Sequence, residues 1–279
     1  MRTSSRLFIA LLIGLLIGAG GTLLISGSTS HDQPLPDRDL IFQVSTIDAL
    51  LESVYDGVMP VSDLKQYGDL GIGTFDSLDG ELIMVDGVVY QARADGSVVV
   101  APDDLLVPLA AVTFFDPDYI LSVLSMGNYA EFEDHINGIL RSENLMYAIQ
   151  IHGTFSEVTV RAPHRQERPY PRLVDALSDQ YMATHTNISG TAVGFRLPEY
   201  LAGLNVPGYH LHFISDDRSI GGHIVDFSID SATISLDETL TFQMRLPADG
   251  GFIDADLTGD LSDEITVVER PGQHLPGSS

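Results

Sequence analysis

Cysteine and tryptophan are absent from this 279-residue chain, and lysine occurs once, at Lys65. Without cysteine there is no disulfide framework, no thiolate-bound zinc and no acylated cysteine to anchor a lipoprotein. Any metal must therefore be held by histidine and carboxylate. Lys and Arg together number 14 against 39 Asp and Glu, a formal net charge of −25. A surface of that sign repels phosphate backbones and anionic membranes, which sets nucleic-acid binding aside. The scarcity of lysine beside so many acids also fits a chain suited to high salt, where ions screen self-repulsion. With 44% hydrophobic residues the chain is not disordered. It buries a substantial core, as one large domain or two small ones.

One long apolar run is present. Arg2 and Arg6 precede nineteen residues from Leu7 to Ile25 that carry no charge, followed by the small residues Ser26, Gly27 and Ser28. The run exceeds the roughly 7–15 residues of an ordinary signal core and reaches the roughly 17–25 that span a bilayer. Residues 1–28 thus read as a signal peptide or an N-terminal membrane anchor, with the positive end inside and the rest of the chain outside the cytoplasm. Residues 29–40 form a polar, proline-bearing linker and residues 271–279 a tail.

Between them the pattern is mostly that of short strands. Thr46 to Tyr55 has apolar residues at Ile47, Leu50, Leu51 and Val54, the spacing of a half-buried helix entered at Ser45 and ended by Gly57. A second short helix is expected over Val61 to Gln66 and a third over Tyr129 to Arg141. From Gly71 onward, Asp-Gly pairs at 79, 86 and 95 signal hairpins. Leu145 to Arg161 reads as a further hairpin turning at His152-Gly153. Strands are expected at Gly190–Leu197, Tyr209–Ile214, Gly222–Ile229, Ala232–Leu236 and Thr239–Arg245. The fold class is α+β, mainly mixed or antiparallel sheet with a few helices. The proline-rich segment from Arg165 to Arg172 marks a division into an N-terminal domain (41–170) and a C-terminal β-rich domain (171–270).

The stretch that carries chemistry is Pro207-Gly-Tyr-His-Leu-His-Phe-Ile-Ser-Asp-Asp-Arg-Ser-Ile-Gly-Gly-His223. His210 and His212 are two apart, so on a strand they share a face. If Asp217-Arg218 centres the reversal, His212 stands opposite His223 and His210 lies one pleat along. Three neutral imidazoles on one hairpin suit zinc and several other first-row metals, and three protein ligands leave positions open for water or substrate. His31, His135, His152, His164, His185 and His274 have no partner at such spacing. The hairpin alone is also compatible with a cupin-like oxygenase or a non-catalytic metal-binding module.

Further strings narrow this. Gly73-Thr-Phe-Asp-Ser-Leu-Asp-Gly-Glu-Leu-Ile-Met-Val-Asp-Gly87, Arg161 with Glu167-Arg-Pro-Tyr-Pro171, Ser189-Gly-Thr-Ala-Val-Gly-Phe-Arg196, and the hairpin running on into Gly221-Gly-His-Ile-Val-Asp-Phe227 together resemble the acetolactate decarboxylases. The resemblance covers about Ser45 to Glu269. It implies two α/β domains with the metal near their junction, a zinc ion on His210, His212 and His223, a homodimer built through sheet pairing, and the conversion of acetolactate to acetoin and CO2. It also implies catalytic roles for Glu81, Arg161 and Glu269, with Thr74 contributing a hydroxyl. Glu269 rests on the weaker match Leu261-Ser-Asp-Glu-Ile-Thr-Val-Val-Glu269, in which Glu264 is the alternative carboxylate.

Overall fold

Fourteen strands and six short helices make up the described part of the chain, which in this computed structural model comprises residues 38–248 and 250–269. The expected targeting segment 1–28, linker residues 29–37 and the tail 271–279 lie outside it. In chain order the strands are β1 (Leu40–Val44), β2 (Met59–Pro60), β3 (Leu70–Thr74), β4 (Glu81–Val85), β5 (Val88–Ala92), β6 (Val98–Val100), β7 (Leu106–Val107), β8 (Ala110–Thr113), β9 (Tyr119–Met126), β10 (Met146–Pro163), β11 (Gln180–Leu197), β12 (Gly208–Ser215), β13 (Gly221–Thr239) and β14 (Thr241–Arg245). The helices are α1 (Ile47–Leu51), α2 (Val61–Leu64), α3 (Tyr129–Asn137), α4 (Leu173–Ala176), α5 (Gly251–Asp254) and α6 (Ser262–Glu269).

The strands form a seven-stranded sheet, in the order β14-β1-β8-β3-β4-β5-β6, and a five-stranded antiparallel sheet, β10-β11-β12-β13-β9; β2 and β7 pair separately. Only β1 and β14 run parallel in the larger sheet, which makes it mixed. In the smaller sheet β10 also pairs with β13, so β10, β11, β12 and β13 close on themselves. The two sheets meet through Ile41, Ile72 and Ile83 on one side and Ala148, Phe195 and Ile214 on the other. The opposite face of the larger sheet packs Leu82, Met84 and Val112 against Val61 and Leu64 of α2. Both faces of β3 and β4 are thereby buried. Their alternation then decides direction: Ile72 and Ile83 point to the second sheet, so Thr74 and Glu81, two residues away on the same strands, point there too.

For the three expected helices the starts follow the sequence closely and the ends come earlier, whereas α4, α5 and α6 were not expected. Thr46, one residue after the expected entry, caps α1 by accepting from the Ala49 amide at 3.2 Å. Asn128 caps α3 in the same way from the Glu131 amide at 2.9 Å. α1 ends at Leu51 because Ser53 turns to a positive φ of 69°, and α3 ends at Asn137, capped by Gly138, rather than at Arg141.

The strands diverge further. The expected hairpin at His152-Gly153 is instead the middle of the continuous strand β10. Gly153 is there for close approach: a Cβ would lie 2.2 Å from the Ser231 carbonyl oxygen and 2.6 Å from Ala232 Cα on β13. Gly222–Ile229 and Ala232–Leu236 likewise belong to one strand, β13, whose Asp230 falls at a register shift against β10. The division expected between residues 170 and 171 falls inside a sheet, because β10 and β11 on either side of it pair from Tyr147↔Arg196 to Pro163↔Gln180. The seven-stranded sheet takes its strands from residues 40–113 and 241–245, and the five-stranded sheet from 119–239.

Candidate active site

The turn after β12 places the histidines in register. Asp217 Oδ1 accepts from Ser215 Oγ at 2.7 Å and from the Ser219 amide at 3.1 Å, and Arg218 adopts a φ of 60°. This tight polar reversal pairs His212 with His223 across β12 and β13. His210 follows one pleat away on the same face as His212. One candidate ligand atom from each imidazole lies within 4.8 Å of the other two. His210 Nε2 is 3.1 Å from His223 Nδ1 and 3.3 Å from His212 Nε2. Nitrogens bound at about 2.0–2.1 Å to a tetrahedral ion stand about 3.3 Å apart, so the spacing fits a metal. The Nδ1–H of His212 donates to the Leu82 carbonyl at 2.8 Å, which leaves its Nε2 lone pair facing inward. His223 Nε2 is buried and meets no hydrogen-bond partner.

All three rings are held neutral. Burial pushes His210 down to about 3, with the Arg161 charge adding to the effect. Burial likewise holds His212 and His223 well below the ordinary histidine value, and neighbouring imidazoles and Arg161 reinforce it. Neutral imidazole is the form that binds a metal.

Two carboxylates close the cluster from different elements. Glu81, the first residue of β4, has Oε2 3.7 Å from His212 Nε2. Glu269, the last residue of α6, has Oε2 3.5 Å from His210 Nε2 and 3.7 Å from His223 Nε2. Burial pushes the Glu81 carboxyl up to about 8; the Arg161 charge opposes this and the Glu269 charge adds to it. Glu264 is elsewhere, with Oε2 2.9 Å from Arg172. Arg161 pairs with His223 across β10 and β13 and is 3% exposed, yet its Nε–H meets no acceptor. Thr74 stands opposite Glu81, and its hydroxyl donates to the Gly80 carbonyl at 2.7 Å. The Thr74 proton therefore holds the turn that leads into Glu81.

These groups share a small cavity of about 50 Å³. Its remaining wall is apolar and includes Leu50, Leu78, Pro163, Leu173, Leu177 and Val268. Sequence reasoning missed this wall and the Leu82 carbonyl. Leu82 was reachable, since it follows Glu81 on the same strand, whereas Leu50 read only as one apolar position of a half-buried helix and Leu173 and Leu177 fell in no expected element.

A buried cluster of three histidines with two carboxylates and an arginine is a specific arrangement, and the comparisons with known proteins agree on one family for the chain. The alpha-acetolactate decarboxylase family profile matches residues 41–259. The chain belongs to the alpha-acetolactate decarboxylase family. The alpha-acetolactate decarboxylase of Methanosarcina mazei is 46% identical over 261 residues, 90% of this chain and 91% of that protein. That of Bacillus subtilis strain 168 is 40% identical over 239 residues, 85% and 92% of the two chains. The crystal structure of acetolactate decarboxylase from Bacillus subtilis subspecies spizizenii superposes with a TM-score of 0.81 at 42% identity, covering 82% of this chain and all of that one. Family membership makes the chain a carboxy-lyase acting on acetolactate, and sets aside the cupin-like alternative. Glu269 lies ten residues beyond the family match, and geometry alone puts it at the cluster.

Proposed function

We propose that the chain is a zinc-dependent enzyme that converts 2-acetolactate (2-hydroxy-2-methyl-3-oxobutanoate) to acetoin and CO2. The observation that carries this reading is the convergence of three neutral imidazoles, two carboxyls and an uncommitted arginine donor on one cavity. His210, His212 and His223 would hold the ion. When bound, it supplies Lewis acidity to the substrate's hydroxyl and ketone oxygens.

The rest is the work of the protein's own side chains. Loss of CO2 breaks one C–C bond, and the electron pair passes into the adjacent ketone to give an enediolate; one proton then forms the new C–H bond. Arg161 presents a guanidinium fork that orients the substrate carboxylate. Binding that carboxylate too tightly would oppose its departure, so its catalytic value lies in orientation and in support of the enediolate. Burial favours the protonated form of the Glu81 carboxyl, an effect that a bound cation would oppose, and its place 3.7 Å from His212 Nε2 supports Glu81 as a donor. Glu269 faces the same imidazoles from α6 and is the second candidate. The apolar wall keeps bulk water from delivering the proton in its place.

The apolar run from Leu7 to Ile25 supports an extracytoplasmic enzyme, secreted or anchored. The resemblance supports a homodimer, and β6 and β14 at the ends of the seven-stranded sheet and β9 at the end of the five-stranded sheet are edge strands to which such pairing could add. The decisive experiment supplies racemic acetolactate to the purified protein and measures acetoin together with bound metal by elemental analysis. One zinc per chain with acetoin release is expected. Acetoin formation that survives complete metal removal would overturn the metal-dependent reading, and the absence of acetoin from zinc-loaded protein would overturn the reaction.

A further inference from the structure

Glu269 reaches the site from the end of α6, a helix of eight residues. A helix that short has no stability of its own in water, so whatever docks it also places the carboxylate. Its apolar anchorage is small. Ile265 and Val268 are buried among Leu51, Leu173 and Ala176, while Val267 is 52% exposed.

The polar anchorage is concentrated on one residue. Arg172 immediately precedes α4, and its terminal nitrogen lies 2.6 Å from Glu52 Oε1 and 2.9 Å from Glu264 Oε2. Glu52 caps the C-terminus of α1, and Glu264 sits in the first turn of α6. Arg172 therefore ties together three elements whose apolar residues, Leu50, Leu173 and Val268, all line the cavity. The far side of α6 faces a larger cleft of about 300 Å³ lined by Glu199, Val206, Pro207, Ser262 and Thr266. Glu269 borders both this cleft and the inner cavity. A helix that lifts opens the site to water.

We propose that Arg172 is a positioning residue for the decarboxylation: by bridging Glu52 and Glu264 it holds α6 closed and keeps the Glu269 carboxyl against His210 and His223. This rests on the reading of Glu269 as part of the reacting site. Arg172 itself does not line the cavity. Its ion pairs are partly exposed, and such pairs add little to global stability. Their effect falls on the last helix, where opening takes little energy and a shift of about 0.5 Å matters to chemistry.

The test uses the metal-loaded full chain with Arg172→Met, Arg172→Lys and the exchanged pair Arg172→Glu with Glu264→Arg, in which the new arginine can still meet Glu52. In Arg172→Met, kcat should fall about threefold to tenfold, the scale of losing two partly exposed ion pairs. KM, bound metal and Tm should change little. Acetoin should lose enantiomeric purity as water competes for the protonation, and amide hydrogen exchange across residues 262–269 should accelerate. Lysine should rescue in part and the exchanged pair more fully. Parental exchange rates in Arg172→Met would overturn the clamp, even if the protein made no acetoin at all. Faster exchange with parental kcat and parental enantiomer ratio would overturn its bearing on the site while leaving the decarboxylase reading intact.

Discussion

At the residue scale, if the three histidines hold an ion, it and the carboxyls have separable tasks, and substitutions should separate them. His212 is 1% exposed, and its Nδ1 is committed to the Leu82 carbonyl. Replacing it with alanine removes one of three donors and should abolish most metal content; full zinc occupancy in His212→Ala would contradict the site. Glu81 and Glu269 lie at 3.5–3.7 Å from imidazole nitrogens. Glutamine at either position should leave zinc bound and lower acetoin formation about 10²- to 10⁴-fold, the usual scale for general acid catalysis. If Glu81→Gln loses zinc instead, Glu81 is a ligand and the donor role passes to Glu269. Chiral chromatography of the residual acetoin tells the two donors apart, because the carboxyl that protonates carbon also sets its configuration. The histidine trio was legible in the sequence because strand register is simple arithmetic: a reversal centred on Asp217-Arg218 brings 212 opposite 223. Glu269 was less so. Nothing in Leu261–Glu269 says that the second carboxylate is the one at the end of the helix rather than Glu264 in its first turn; that follows from how α6 docks.

At the scale of elements, local signals served well where the chain turns through its own chemistry and poorly where a neighbour decides. The Asp86-Gly87 turn joins β4 to β5 as an Asp-Gly pair should. His152-Gly153 carries only the weaker signal of a lone glycine between two apolar runs, and the chain runs straight through it. The difference lies in β11 and β13, which flank β10 along most of its length and supply pairing that no local window contains. Gly153 is small because those neighbours crowd it. Alanine at Gly153 should therefore destabilise rather than stiffen: its Cβ meets the Ser231 carbonyl oxygen at 2.2 Å. A cost of about 1–3 kcal/mol is expected for such overpacking, and in a domain of this size each kcal/mol lowers Tm by about 2–4 °C. A Gly153→Ala protein that melts at or above the parental temperature would mean that β10 has slack at this crossing. The same reasoning explains why sheet pairing runs across the division expected at residue 170. The prolines between Arg165 and Arg172 signal a break in chain direction, and the sheet closes across it.

At the scale of the whole molecule, the excess of acid acts on both stability and rate. Asp237 on β13 is 6% exposed and accepts the Asp116 amide at 3.1 Å. Burial pushes its carboxyl up from 3.8 to about 6, and the charges of Asp118, Asp39 and Asp116 add to the shift. Its neutral form is favoured in the fold, so this contribution to stability is complete below pH 3.8 and is lost as the pH rises through about 6. Asp237→Asn should therefore melt higher than the parent at pH 7 and at nearly the same temperature near pH 4; equal melting at both would remove Asp237 as a pH-sensitive element. Self-repulsion across the whole chain responds to salt instead. At a net charge of −25, screening that shortens from about 10 Å at 0.1 M to about 3 Å at 1 M should raise Tm steeply as KCl is added. The substrate is itself an anion, and the protein's field opposes its approach. Screening should therefore raise kcat/KM as well, through faster encounter, while kcat changes little because it reports steps after the substrate is bound. Stopped-flow turnover at matched temperatures well below melting separates the two effects. A kcat/KM that falls or stays flat between 0.1 and 1 M KCl would mean that Arg161 and the bound metal ion dominate the local field at the entrance, and that the charge of the chain bears on its folding alone.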